Sequence, residues 1–184
     1  MPPVVGVLAL QGDFEAHAQL LRSLGAEPRE VRVPAELGGL DGLIIPGGES
    51  TVMELGIERE GLSEPLRDLH ARQVPILGTC AGLIMLDRDH LGLMDVRTRR
   101  NAFGRQLSSF ECDLQVIGLN SEPVRAVFIR APWIEERGAG VEVLAEVEGH
   151  PVAAREGTLL AVAFHPELTG DARLHELFLS GLAS

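Results

Sequence analysis

An α/β fold is the architecture this chain predicts: a single domain with a mostly parallel central sheet and helices on both faces. Two patterns carry that reading. Short apolar runs alternate with amphipathic stretches through the first half, and two of those runs end in small-residue turns of the kind that lead from a strand into a helix. Size is the third observation. A chain of 184 residues, 45% of them hydrophobic, can bury one full core, so one domain over residues 1–184 is expected.

Taken in order, Val4 to Leu10 reads as a buried strand, and Asp13 can cap a helix with the apolar face Phe14, Ala18, Leu21 and Leu24, ended by Gly25. A short strand around Val31 to Val33 follows. Gly42-Leu43-Ile44-Ile45 is the next, leaving into Pro46-Gly47-Gly48-Glu49-Ser50-Thr51, and Ser63 with Pro65 opens a helix running towards Ala71. Val74 to Leu77 is a further strand and Leu83 to Leu86 lies in the helix after it. Beyond Met94 the pattern changes, with strands near Ser109 to Val116, Pro123 to Ile129, Val141 to Val147, Val152 to Arg155 and Thr158 to Phe164. A final helix spans roughly Asp171 to Leu182, with Leu174, Leu177, Phe178 and Leu182 inward. No repeat, low-complexity tract or linker interrupts the chain.

Composition excludes several functions. Sixteen basic residues, all arginine, stand against 27 acidic ones, for a net charge of −11, and the largest basic cluster is Arg97-Thr98-Arg99-Arg100, so nucleic acid is not an expected partner. No apolar run approaches the ~20 residues of a membrane span and no leader pattern opens the chain. With two cysteines 32 positions apart, a reduced, cytoplasmic protein is expected. Cys112, between Glu111 and Asp113, reads as structural, its thiolate opposed by those carboxylates.

Cys80 is different. Gly78-Thr79-Cys80-Ala81-Gly82 joins the apolar runs on either side, the form of a nucleophile elbow, in which glycines two positions away let strand and helix backbones approach. A thiol at that helix N-terminus is favoured as thiolate, and free N–H groups of the first turn can hold an oxyanion. The matching base is His165 in Phe164-His165-Pro166-Glu167-Leu168, at the carboxyl end of a strand where open α/β sheets carry their sites. Residues two apart in extended chain point the same way, so Glu167 can reach the His165 imidazole and orient it. His70 and His175 read as solvated or helix-face residues, His90 and His150 as loop residues, and His17 lies in the first helix. No His/Cys pair has metal-ligand spacing, so no metal is expected.

Two more segments reach the same edge. The paired glycines after the third strand allow backbone N–H groups to point at a ligand and complete an oxyanion hole; the alternative is a strand-to-helix turn capped by Ser50 or Thr51. Gln11-Gly12 ends the first strand beside it. Arg100 and Arg130 are candidate clamps for a substrate carboxylate, which guanidinium binds bidentately.

The combination of G-T-C-A-G, P-G-G-E-S-T and H-P-E-L resembles the class I, or triad, glutamine amidotransferases. Leu8-Ala9-Leu10-Gln11-Gly12, Arg100-Asn101-Ala102-Phe103-Gly104-Arg105-Gln106, Ser109-Phe110-Glu111 and Phe128-Ile129-Arg130-Ala131-Pro132 narrow it, and nearly end to end the chain is similar to the glutaminase subunits of pyridoxal 5′-phosphate synthase. That resemblance implies a flavodoxin-like fold and hydrolysis of L-glutamine to glutamate and ammonia by Cys80, His165 and Glu167. It implies glutamine contacts from Gly48, Glu49, Ser50, Arg100, Ile129 and Arg130, and oxyanion donors at Gly48 and Ala81. It also implies no cofactor, a synthase subunit that accepts the ammonia in a large hetero-oligomer, and a partner-sensitive region at Gln11 and Gly12. The chain departs from the family pattern at Ala16, where an acidic residue usually precedes His17, and in a shortened run from Asp87 to Gly92. Another Cys-elbow hydrolase on the same sheet, or a non-catalytic binding subunit, would be the competing readings.

Overall fold

Strand β1 (Val4–Leu8) leads into helix α1 (Phe14–Ser23), and the chain continues through β2 (Glu27–Val31), β3 (Gly42–Ile45), α2 (Ser50–Arg59), α3 (Ser63–Ala71), β4 (Ile76–Thr79) and α4 (Ala81–Leu86). The second half holds β5 (Val96–Arg99), β6 (Ser109–Leu114), β7 (Val124–Ile129), β8 (Trp133–Arg137), β9 (Glu142–Val147), β10 (His150–Glu156), β11 (Leu159–Val162) and α5 (Arg173–Ser180). This computed structural model describes residues 1–104 and 108–183; Arg105 and Gln106 of the R-N-x-F-G-R-Q segment lie outside the described residues.

Seven strands form the main sheet in the order β2-β1-β3-β4-β11-β10-β9. The first five are parallel, and β10 and β9 add an antiparallel edge. Every residue of β3, β4 and β11 is buried, so helices and loops cover both faces of the sheet's centre, as a parallel sheet requires. The order 2-1-3-4 at the parallel end is the flavodoxin-like arrangement, which gathers ligands at the strands' carboxyl ends.

Several elements differ from the sequence reading, each for a local reason. Strand β2 lies four residues earlier than the apolar Val31 to Val33 suggests, because an edge strand pairs through its backbone and leaves Glu27, Pro28, Arg29 and Glu30 partly or fully exposed. Helix α2 fills the stretch between Thr51 and Ser63. Its apolar residues divide between a buried set, Met53 and Ile57, and an exposed set, Val52 and Leu55, which blurs the helical period. Its cap is Glu49, not Ser50 or Thr51: the Glu49 carboxylate accepts from the Thr51 and Val52 N–H groups at 3.1 and 2.9 Å. Strands β5 and β8 pair in a small separate ribbon that gives no clear alternation in the sequence.

The other ribbon, β6–β7, is anchored by aromatic rings. Phe110 stacks on Phe128 with centroids 4.7 Å apart, Phe103 meets both edge-on, and Phe128 contacts Phe164 at 5.7 Å. Because Phe128 precedes Ile129 and Phe164 precedes His165, this cluster ties the ribbon's tip to the end of β11.

Candidate active site

Cys80 and His165, the candidate nucleophile and base, follow neighbouring strands. Val162 of β11 is in register with Thr79 of β4, and the Cys80 N–H donates to the Val162 carbonyl at 2.8 Å. His165 follows three residues later, its N–H held by the Val127 carbonyl of β7 at 2.9 Å. Both side chains thereby arrive at the carboxyl edge of the sheet.

The elbow is as cramped as its glycines imply. Cys80 has φ 50° and ψ −106°, a conformation that L-residues rarely adopt and that persists only where the surroundings enforce it. A Cβ on Gly82 would stand 1.9 Å from the Ile45 carbonyl oxygen, and one on Gly78 would stand 2.7 Å from that of Gly82. Gly47 is equally hemmed in, since its Cβ would lie 2.6 Å from His165 Cε1 and 3.3 Å from Cys80 Cβ. Sequence reading missed Gly47 as a separate requirement, although it stands inside the P-G-G motif.

Glu167 accepts a 2.7 Å hydrogen bond from His165 Nδ1, with the carboxylate wholly buried. Burial disfavours a charged imidazole, but the hydrogen bonds and charges of Cys80 and Glu167 outweigh it and raise the His165 pKa to about 10. An imidazolium between sulfur and carboxylate is the form this geometry supports. Burial in turn raises the pKa of Glu167, against the lowering effect of His165.

A cleft of about 520 Å³ opens over the thiol, in the size range of a small-ligand site. Its lining includes Gly48, Glu49, Ser50, Ala81, Arg100, Ile129 and Arg130 together with Cys80 and His165, so every substrate contact named from the sequence reaches it. Arg100 donates to Thr51 Oγ1 at 3.0 Å and lies 3.4 Å from Glu49, an ion pair at the rim. Arg130 has φ 45°, and the Ile129 carbonyl before it lies 3.9 Å from Cys80 Sγ. Gln11-Gly12 abuts the same loop: the Glu49 N–H donates to Gln11 Oε1 at 2.9 Å, and a Cβ on Gly12 would stand 1.9 Å from the Gly47 carbonyl oxygen.

Other residues at the site were not singled out as such from sequence. Asp13 stands at the N-cap of α1 without capping it, and its carboxylate turns instead to His165 Nδ1 at 3.3 Å. Asp13, His165 and Glu167 hold their ligand atoms within 4.8 Å of one another, a spacing a metal ion could use, but the His165–Glu167 hydrogen bond already employs two of those atoms. His175 is neither solvated nor on an outer helix face. It is fully buried against His17, because the inward stripe of α5 passes through position 175 as well as Leu174 and Phe178. His150 opens β10 instead of lying in a loop, its ring stacked on Trp133 with centroids 3.5 Å apart. Cys112 has its thiol pKa raised, chiefly by burial and only then by Asp113.

Residues 7–184 match the profile of the SNO glutamine amidotransferase family. The chain belongs to that family. It is similar to a pyridoxal 5′-phosphate synthase subunit PdxT of Frankia alni, 53% identical over 186 residues that cover 96% of this chain and 94% of the relative. The protein of the same name from Streptomyces avermitilis is 52% identical, with 96% and 92% covered. A crystal structure of a glutamine amidotransferase superposes with a TM-score of 0.91 at 46% identity, over 98% of this chain and 99% of that one. A PurLQS structure from Thermotoga maritima, at 19% identity and a TM-score of 0.80, shares the fold, and covers 99% and 100% of the two chains. Among the described residues, no helix is long and apolar enough to cross a membrane.

Proposed function

We infer that this chain, as one glutaminase domain over residues 1–184, is the glutaminase subunit of a pyridoxal 5′-phosphate synthase and hydrolyses L-glutamine to glutamate and ammonia. One observation carries the reading: a thiol on a strained elbow faces a buried His165–Glu167 pair at the floor of a cleft lined by the family's motif residues.

The chemistry follows from those positions. With His165 in its imidazolium form, the Cys80 sulfur attacks the side-chain amide carbon of glutamine. The oxyanion that forms is held by the N–H groups of Gly48 and Ala81. The intermediate collapses, the C–N bond breaks, and His165 donates its proton so that ammonia leaves. Water then gives a proton to the now neutral His165 and attacks the thioester carbonyl. The C–S bond then breaks, glutamate departs, and the sulfur is left again beside the His165 imidazolium. Glu167 keeps the imidazole oriented throughout and stabilises its charged form. Glu49, Ser50, Arg100, Ile129 and Arg130 contact the amino acid, with the guanidinium groups suited to its α-carboxylate.

Ammonia released into water would be protonated, so it passes directly to a synthase subunit within a large cytoplasmic hetero-oligomer. Gln11 and Gly12, packed on the loop that supplies an oxyanion donor, make the site responsive to that partner. The test is glutamate release by the purified chain, alone and with a matching synthase subunit, against a Cys80→Ala control. Partner-stimulated release that the substitution abolishes is the expected result; no release under either condition overturns the function.

A further inference from the structure

Behind the triad lie two more histidines that the reaction as written does not use. Glu167 commits Oε1 to His165, while its buried Oε2 has no hydrogen-bond partner among the described residues. The His17 Nε2 atom, on α1, lies 3.5 Å from that oxygen and 3.2 Å from the Thr79 hydroxyl of β4. On its other side, His17 Nδ1 lies 2.8 Å from His175 Nε2 of α5. Both rings are fully buried, and the outer nitrogen of His175, Nδ1, has no partner.

Burial, then His175, then His165 lower the His17 pKa well below its usual value, and burial lowers that of His175 to about 4, so both rings are neutral at pH 7. Each therefore has one N–H and one bare nitrogen. Were His17 to donate from Nδ1 to His175, its bare Nε2 would face a carboxylate, and His175 would bury an N–H at Nδ1 with nothing to accept it. The opposite assignment avoids both penalties. His175 donates from Nε2 to His17 Nδ1, His17 presents Nε2–H to Glu167 and Thr79, and only a bare acceptor is left unpaired. The titratable groups facing Glu167 are then His165 on its own segment, Asp13 at the N-cap of α1 and His17 within it, with His175 of α5 behind His17.

We propose that His17 is a positioning residue for the glutaminase reaction, its Nε2–H holding the second oxygen of Glu167 while His175 fixes its tautomer. The proposal rests on the glutaminase reading above. Without that donor, the buried Glu167 carboxylate would lose the one N–H near it from outside its own segment among the described residues, and protonation would compete with its bond to His165. A space-filling role predicts something else: any apolar side chain of similar volume should serve.

The test uses the complex with the synthase subunit and four variants. Glutamine sets its amide nitrogen where His Nε2 stands, whereas asparagine reaches only as far as Nδ1. His17→Asn and His17→Leu should therefore lower kcat about ten- to a hundredfold, with KM for glutamine within about twofold, as for other residues that orient a catalytic group. They should also move the acidic limb of the kcat–pH profile upward. His17→Gln should restore most of kcat and the limb. His175→Leu, which removes the tautomer lock without touching Glu167, should shift the limb the same way, and it serves if the Asn and Leu variants do not fold. Asn or Leu variants as active as His17→Gln, with an unmoved limb, would overturn the role, as would an unmoved limb in His175→Leu. Cys80 alkylation by iodoacetamide against pH, on the chain alone, separates the two readings. A wild-type complex that releases no glutamate defeats the glutaminase reading; alkylation profiles then decide for His17, supporting it if His17→Asn shifts the profile and overturning it if the two coincide.

Discussion

Gly47 shows how narrowly the site is built at the scale of single residues. Its backbone is not in the left-handed region, so alanine suits the local chain, yet the added Cβ would stand 2.6 Å from the His165 ring. Gly47→Ala should therefore leave folding largely intact while pushing the imidazole from the thiol, and a displacement near 1 Å costs a reaction about a hundredfold. Partner-stimulated glutaminase rates and thermal melts of the same samples test this. Full activity with an unchanged melt would show that His165 tolerates the shift. Gly82→Ala belongs to a different class. Its Cβ would meet backbone 1.9 Å away, so it should destabilise the whole elbow. The G-x-C-x-G frame announced that second requirement in the sequence; nothing announced the first, because it arises between a loop after β3 and a side chain 118 positions later.

Among elements, the turn after α4 is held by one carboxylate. Asp87 is almost wholly buried and accepts from the Asp89 N–H at 2.9 Å, His90 Nδ1 at 2.7 Å and the Thr98 hydroxyl at 2.5 Å, which joins the shortened turn to β5. The His90 pKa is raised, with the Asp87 hydrogen bond the leading cause, and that of Asp87 is lowered because its hydrogen bonds and His90 together outweigh burial. A raised histidine contributes stability that is complete below its unfolded pKa of about 6.5 and fades as pH rises through the folded value. A lowered aspartate contributes above about 4 and fades in acid. The stability difference between wild type and His90→Ala should thus be largest near pH 5–6 and shrink as pH rises through the raised His90 pKa, as read by urea unfolding; a difference independent of pH would contradict the pairing. The aromatic cluster is the other device at this scale. Phe128→Ala removes a fully buried ring that ties β7 to β11, which should cost about 3–5 kcal/mol and raise KM through a looser Ile129–Arg130 tip. A large stability loss with unchanged KM would separate the ribbon from substrate binding.

Across the whole molecule, burial is concentrated in β3, β4 and β11, whereas β6 alternates between exposed and covered positions. Amide hydrogen exchange on the isolated chain should accordingly be slowest in those three strands and faster in the β6–β7 and β5–β8 ribbons, since opening a ribbon exposes less apolar surface. Equal protection throughout would mean that ribbons and sheet open as one unit. The same distribution explains what could be read in advance. Continuous apolar runs marked the central strands because a strand buried on both faces has no polar side to show, and the elbow was legible because its steric demands are local. The α/β class, Cys80 with His165 and Glu167, and the cleft-lining motifs were all present in the sequence by itself. Edge strand β2, the short β5–β8 pair and the cap of α2 were not, since their residues answer to neighbours and not to periodicity. Only the tertiary structure brought Asp13, His17 and His175 to the triad. A buried polar group is defined by what surrounds it, and here the surroundings of Glu167 come from segments as far as 158 residues apart.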